Sequence, residues 1–169
     1  SAAIQKCFDQ AQASGKSVWI PQGTFYVANP QGLGATGISI EGAGMWYSTL
    51  YYNPPKGSGN PNYFITPWSS TLRNFAIDGN AVDNSQTGNN GGGVNIKGSH
   101  WHIDSVWIQH EGPGVWGNGE DGIVENCRIN SVWADGINLN NGNSVPGNNL
   151  GNRLTARNNF VRGSGDDGL

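Results

Sequence analysis

Three aspartates carry the chemistry open to this chain. Asp135 stands in Trp133-Ala134-Asp135-Gly136-Ile137, and Asp166 and Asp167 stand in Gly163-Ser164-Gly165-Asp166-Asp167-Gly168-Leu169. Laid over each other without gaps, 125–137 and 157–169 match Asn126 with Asn158, Ile129 with Val161, Asp135 with Asp167 and Gly136 with Gly168. Asp166 falls opposite Ala134. Short β-like segments repeated at this spacing mark a solenoid, in which equivalent positions stack. The repeat therefore predicts three carboxylates at one place, with the glycine-rich Asp166-Asp167 pair at a bend where both side chains reach one groove. Crowded carboxylates repel, so at least one is expected to keep its proton to raised pH. An acid beside an ionised neighbour suits glycoside hydrolysis, where one group protonates the leaving oxygen and another activates water. Asp-Gly is also an ordinary turn, and clustered carboxylates on a β-helix also bind calcium. Repetition of the acid in register favours catalysis over both.

The elements that position these acids are short strands. Glycine, at 27 residues, and abundant asparagine suit an all-β chain with many tight turns, because both tolerate positive φ. Strand-like runs occur at 17–27 (hinged by Pro21-Gln22-Gly23), 38–42, 49–52, 71–79, 94–96 and 101–108. Polar loops fill 53–62, 80–93 and 138–152. Asp104 to Glu125 is an interval of 21 residues and Glu125 to Arg157 one of 32, as stacked coils with variable loops allow. The fold class that follows is all-β: a right-handed parallel β-helix with Ile103, Val106 and Ile108 stacked over Cys127 and Ile129, and these over Val161. Asn126 over Asn158 reads as an asparagine ladder whose amides satisfy turn backbone. A β-sandwich explains alternating strands but not the in-register Asp-Gly repeat.

Residues 1–15 read as an amphipathic capping helix, with Ser1 as N-cap, Ala3, Ile4, Cys7, Phe8 and Ala11 on one face, and Gly15 ending it. Such a helix covers the open end of a solenoid. The organisation expected is one domain over 1–169, with coils from 17 to 169. The chain starts inside a helix signal and stops just after the acid pair, which predicts truncation at both ends. Cys7 and Cys127 make no disulfide framework and read as small buried apolar residues.

Charge narrows the partners. A net charge of -3 and a pI near 5.4 give no electrostatic reason for a nucleic-acid partner. No apolar run is long enough to cross a membrane. Seven tryptophans exceed what core packing needs. Trp107, Trp116 and Trp133 lie in coils leading to the acids, where an indole stacks on a sugar ring; buried packing is the competing use. Trp133 and Trp116, with His110 and Glu111 one coil before Asp135, are the candidate substrate-binding residues. A solvated turn is the other reading of His110-Glu111. His100 and His102 find no third ligand at zinc-like spacing, so no metal site is assigned. No cofactor is required, and structural calcium at Asp78-Gly79, Asp83-Asn84 or Asp121-Gly122 competes with plain turns.

These motifs resemble a known group. Ser1-Ala2-Ala3-Ile4-Gln5, then Val18-Trp19-Ile20-Pro21-Gln22-Gly23-Thr24-Phe25, looks like the cap and first coil of pectate-lyase-like β-helix proteins. Trp133-Ala134-Asp135-Gly136-Ile137-Asn138 followed by 157–167 resembles the α-1,3-glucanases (mutanases) and mycodextranases of glycoside hydrolase family 87. It is less similar to dextranases and polygalacturonases, which share a lone Asp followed one coil later by an Asp-Asp pair. The resemblance implies an inverting mechanism with Asp166 as general acid and Asp135 and Asp167 holding and deprotonating water. It also implies further coils past Leu169. The expected function is endo-acting cleavage of α-1,3-glucan by a secreted enzyme. The absence of a dense Lys/Arg cluster at the acids points to a neutral glucan, although Arg153, Arg157 and Arg162 weigh against that. A polygalacturonase- or dextranase-like hydrolase is the close alternative, a lyase a distant one, and a non-catalytic polysaccharide-binding β-helix the non-enzyme reading.

Overall fold

Parallel strands dominate the computed structural model, which describes residues 2–29, 31–52, 63–82, 91–139 and 151–169. The first coil runs β1 (Val18–Ile20), β2 (Gly23–Val27), β3 (Leu33–Thr36), and the second β4 (Ser39–Gly42), β5 (Ser48–Tyr52), β6 (Tyr63–Trp68). The third is β7 (Thr71–Arg73), β8 (Ala76–Asp78), β9 (Gly92–Ile96), and the fourth β10 (His102–Asp104), β11 (Trp107–Gln109), β12 (Val115–Gly117). The fifth is β13 (Ile123–Glu125), β14 (Arg128–Val132), β15 (Ile137–Leu139), followed by β16 (Thr155–Arg157) and β17 (Phe160–Ser164). Every third strand pairs with its equivalent in the next coil. Sheet 1 is β1-β4-β7-β10-β13-β16, sheet 2 is β2-β5-β8-β11-β14-β17, and sheet 3 is β3-β6-β9-β12-β15. This is the right-handed parallel β-helix expected, and the intervals of 21 and 32 residues are its register: Asp104 pairs with Glu125, and Glu125 with Arg157.

One apolar column per sheet fills the triangular interior. Ile40, Leu72, Ile103 and Val124 stack in sheet 1, Leu50, Ile77, Ile108 and Ile129 in sheet 2, and Leu33, Ile65, Val94, Val115 and Ile137 in sheet 3. All are buried. Alternation within each strand makes this possible: one residue faces in and its neighbours face out.

Sharp corners between sheets 1 and 2 need one residue in the left-handed region, and Asn74, Ser105, Asn126 and Asn158 supply it in successive coils, with φ from 54° to 61°. Asparagine visits this region more cheaply than most side chains. The corner also splits 71–79, read from sequence as one strand, into β7 and β8. Asn126 does stack on Asn158, but its amide donates to Asp104 Oδ1 at 2.8 Å. The turn backbone is satisfied by Asn159, which accepts from the Cys127 amide and donates to the Val124 carbonyl.

The helix α1 (Ala2–Ser14) packs on β1 and β3. Gly15, at φ 64°, ends it, with Lys16 N–H donating to the Ala11 carbonyl and Gly15 N–H to that of Gln12, the Schellman pattern. The Ser1 cap lies outside the described residues. The buried stripe is narrower than the sequence pattern suggests. Phe8 and Ala11 are buried, Ile4 is half-buried, and Ala3 and Cys7 are exposed, because the helix covers only the narrow end of one coil. Cys127, as expected, is buried. Gln5 bonds both ways with the Gly34 backbone, closing part of the β3 edge. Four strands fall where sequence reading saw none: β3, β6, β12 and β15. β12 and β15 each bury one large apolar side chain, Val115 and Ile137, and Gly34 and Pro67 interrupt β3 and β6, so the apolar signal is weak; β15 takes Asn138 and Leu139 from what read as loop. Of the loops at 53–62, 80–93 and 138–152, residues 53–62, 83–90 and 140–150 lie outside the described residues.

Candidate active site at the corner of sheets 2 and 3

The Asp-Gly repeat sits where the chain turns from sheet 2 into sheet 3. A glycine column explains half of the motif. A side chain on Gly114 would lie 2.5 Å from the Gly136 carbonyl oxygen and 2.7 Å from an Ile129 methyl; one on Gly136 would lie 2.5 Å from a Val161 methyl and 2.6 Å from the Gly168 oxygen. Only glycine passes this corner without displacing core or backbone. The residue before each glycine is thereby aligned from coil to coil. Gly114 N–H bonds the Asp135 carbonyl at 2.9 Å, and Gly136 N–H bonds that of Asp167 at 2.8 Å. Asp135 therefore stacks on Asp167 across adjacent coils, as the repeat predicts. The two line one hollow together with Ile137, Asn138, Leu139, Ala156 and Leu169, where the interior of the solenoid opens at the last coil. The Asn138 amide donates to Asp135 Oδ2, fixing that carboxylate from the neighbouring strand. Asp166, exposed, precedes Asp167 in the same turn. Among the described residues no arginine, lysine or histidine forms an ion pair with any of the three.

The other sequence-derived candidates divide. Trp133 lies at this corner, half-buried. Its backbone N–H bonds the Glu111 carbonyl at 3.0 Å, and its indole N–H donates to the Ala81 carbonyl at 2.7 Å, which pins the ring. Trp116 is half-buried in β12 and pairs in register with Asn138, the partner of Asp135. His110 points elsewhere: its Nδ1 meets Asp78 Oδ1 at 2.9 Å, beside the Gln109 amide on Asp78 Oδ2. Glu111 is not in a solvated turn. It is 2% exposed, its carboxyl occupies the space where Gly79 lacks a side chain, and Oε1 has no hydrogen-bond partner among the described residues. Burial first, and the Asp78 charge second, raise its pKa well above the ordinary carboxyl value. It underlies the corner and offers no surface to a polymer. Trp107 is on the outer face of sheet 2, edge-on to Trp46 at 4.9 Å with Arg128 over both rings.

Two residues at the corner escaped sequence reading. Asn138 sat inside an apparent loop. Tyr63 opens β6 next to the 53–62 tract, and nothing in its surroundings signals proximity to an acid 72 residues later. Its phenol is pushed up to about 12, by burial first and by the Asp135 charge second.

One further cluster has ligand chemistry. His102, Asp104 and Glu125 on the outer face of sheet 1 bring their donor atoms within 4.8 Å of one another. Protein groups already occupy them. Glu125 takes Arg157 at 2.6 Å and His102 at 2.7 Å, and Asp104 Oδ1 takes Ser105 and Asn126. The Arg157 hydrogen bond, then that of His102, lowers the Glu125 pKa.

The family model of the α-1,3-glucanase catalytic domain D2 matches residues 1–169. Among solved structures, the Agl-KA catalytic domain superposes with a TM-score of 0.77 at 27% identity, covering 99% of this chain and 30% of that one. The catalytic unit of the thermostable GH87 α-1,3-glucanase from Streptomyces thermodiastaticus strain HF3-3 gives 0.69 at 28% identity, covering 99% and 29%. A GH87 α-1,3-glucanase catalytic domain in complex with nigerose gives 0.69 at 24% identity, covering 95% and 29%, a likeness of fold. No curated protein matches the chain. The chain thus spans about three-tenths of the length of these solved catalytic domains. With the family match running over its whole length, the chain belongs to the α-1,3-glucanase catalytic domain D2 family.

Proposed function

We propose that these coils carry the acids of an inverting, endo-acting α-1,3-glucanase. The observation that supports it is the stacking of Asp135 on Asp167 in one hollow with no ion-pair partner among the described residues. Asp166 protonates the glycosidic oxygen as its bond to the anomeric carbon breaks. Asp135 and Asp167 hold a water on the opposite face and take its proton as the new carbon–oxygen bond forms, inverting the anomeric centre. This geometry calls for roughly 6.5–9.5 Å between acid and base carboxyls, room for the water. The Asn138 amide orients Asp135 for that task. Trp133 and Trp116, both half-buried and both on the side of the preceding coils from Asp135, offer indoles to sugar rings. No cofactor takes part.

A neutral glucan fits the charges. Arg153 is spent on Asp121 and Arg157 on Glu125, both on the sheet 1 side, so neither attends the acid corner. A carboxylated sugar would call for cations there. An enzyme acting on a polymer too large to import works outside the cell, and we assign secretion on that ground. The test is to incubate the protein with α-1,3-glucan, dextran and polygalacturonate and count reducing ends, with Asp166→Asn alongside. Release from α-1,3-glucan alone, abolished in Asp166→Asn with binding retained, is the expected result. Release from polygalacturonate would overturn the substrate; binding with no release from any polymer would replace the enzyme with a binding solenoid.

A further inference from the structure

A second column runs along the acid corner, one residue outside the glycines. Two positions before Ile65, Val94, Val115 and Ile137, which pair coil on coil, stand Tyr63, Gly92, Pro113 and Asp135. Asp167 continues the column below Asp135. The Tyr63 side chain lies along it. A Cβ on Gly92 would be 2.2 Å from Tyr63 Cε1, 2.6 Å from Cδ1 and 2.8 Å from Pro113 Cγ. The phenol ring therefore occupies the space over Gly92 and leans on Pro113, in the direction of Asp135. The residue remains half-buried. Glycine at 92 is the condition for that posture, since any side chain would displace the ring.

We propose that Tyr63 forms a glucosyl subsite of the groove, gripping the glucan on the β6 side of the bond that Asp166 and its partners cleave. The proposal rests on the hydrolase reading above. Three coil rises of about 4.8 Å separate the Tyr63 and Asp135 strands, ~14 Å in all, and the lean of the ring shortens that span. A glucan laid along the column would meet, in order, the Tyr63 ring, which covers Gly92, then the half-buried Pro113, and then the acids. The phenol, protonated at every working pH, supplies a hydroxyl donor, and the ring supplies an apolar face for a sugar. An aromatic platform that grips a sugar other than the one being cleaved binds ground and transition state alike, so its loss falls on KM.

The test uses α-1,3-linked oligosaccharides of increasing length, with KM and kcat resolved for wild type, Tyr63→Ala, Tyr63→Phe and Gly92→Ala, and a thermal midpoint for each. The expected result is a KM increase in Tyr63→Ala about tenfold greater for long oligosaccharides than for the shortest one cleaved, equivalent to ~1.4 kcal/mol. Gly92→Ala, which keeps the tyrosine but evicts its ring, should reproduce that length dependence, and Tyr63→Phe should show a smaller version. Should Tyr63→Ala fail to fold, the other two variants decide. Equal effects at all lengths, or none, with an active wild type would overturn the subsite and leave the hydrolase standing. A wild type that cleaves no α-1,3-linked oligosaccharide would overturn both.

Discussion

The same stacking rule produces opposite electrostatics on sheet 1 and at the acid corner. On the sheet 1 side, an acid and an arginine 32 residues apart meet across adjacent coils three times: Glu41 with Arg73 at 2.7 Å, Asp121 with Arg153 at 2.6 Å and Glu125 with Arg157 at 2.6 Å. At the corner an equal offset sets Asp135 upon Asp167. Two carboxylates one coil rise apart repel by about 1 kcal/mol in bulk water and by more near a protein surface. A fold that places arginines so regularly elsewhere leaves these acids without one among its described residues. Pairing thus separates acids that hold the solenoid together from acids available to a substrate.

Swapping charge for amide at each place would break or sharpen this contrast. On the proposed reading, Asp135→Asn and Asp167→Asn should lower reducing-end release by a factor of ~10²–10⁴, the range for loss of a positioned acid or base. Neither should lower the thermal midpoint, since each removes repulsion. Glu125→Gln should do the reverse, lowering the midpoint slightly and leaving turnover near wild type. Corner variants that retain activity within about tenfold, or a Glu125→Gln variant as inactive as they are, would erase the distinction.

Legibility followed the column that each residue joins. The register could be read because Ile129 and Val161, and Asp135 and Asp167, repeat both type and spacing, and type repeats where a position has one fixed neighbour above and below. Gly136 could be read for the same reason, since the corner admits no side chain there. Asn138 and Tyr63 could not be brought to the acids: Asn138 follows the single buried apolar residue of β15, and Tyr63 opens β6, where Pro67 breaks the strand pattern after Phe64 and Ile65. Glu111 misled for another reason. Flanked by His110 and Gly112 it reads as solvated, and only the missing side chain at Gly79, a coil away, makes room for it inside. Cys7 misled because helical spacing gives a face but not the width that the first coil can cover.

Glu111 belongs to neither set of acids, and its burial gives the next largest effect. Its folded pKa lies well above the ordinary value of 4.5, so between the two the folded chain holds a proton that the unfolded chain releases. Stability is full below that window and falls as pH rises through it, by up to ~1.4 kcal/mol per pH unit. In Glu111→Gln this slope should vanish, whatever the shift in absolute midpoint. Thermal midpoints of both proteins from pH 4 upward test it; parallel curves would mean that Glu111 ionises in the folded chain like any exposed carboxylate.

The smallest effect distinguishes the two regions by salt and acid. Arg157→Gln removes the leading cause of the lowered Glu125 pKa. A lowered carboxyl pKa contributes stability above the ordinary value and loses it as pH falls through the folded one, so the wild-type advantage over Arg157→Gln should exist at neutral pH and disappear in acid. The pair is surface-exposed on its arginine side, so the advantage should also shrink at 1 M salt, where the screening length is about 3 Å. Activity should not follow, because Arg157 stands on sheet 1, away from the corner. Midpoints and turnover measured together at low and high salt would show whether the two regions are independent. A turnover loss that tracks the midpoint would mean that charge on sheet 1 reaches the acids through the coil.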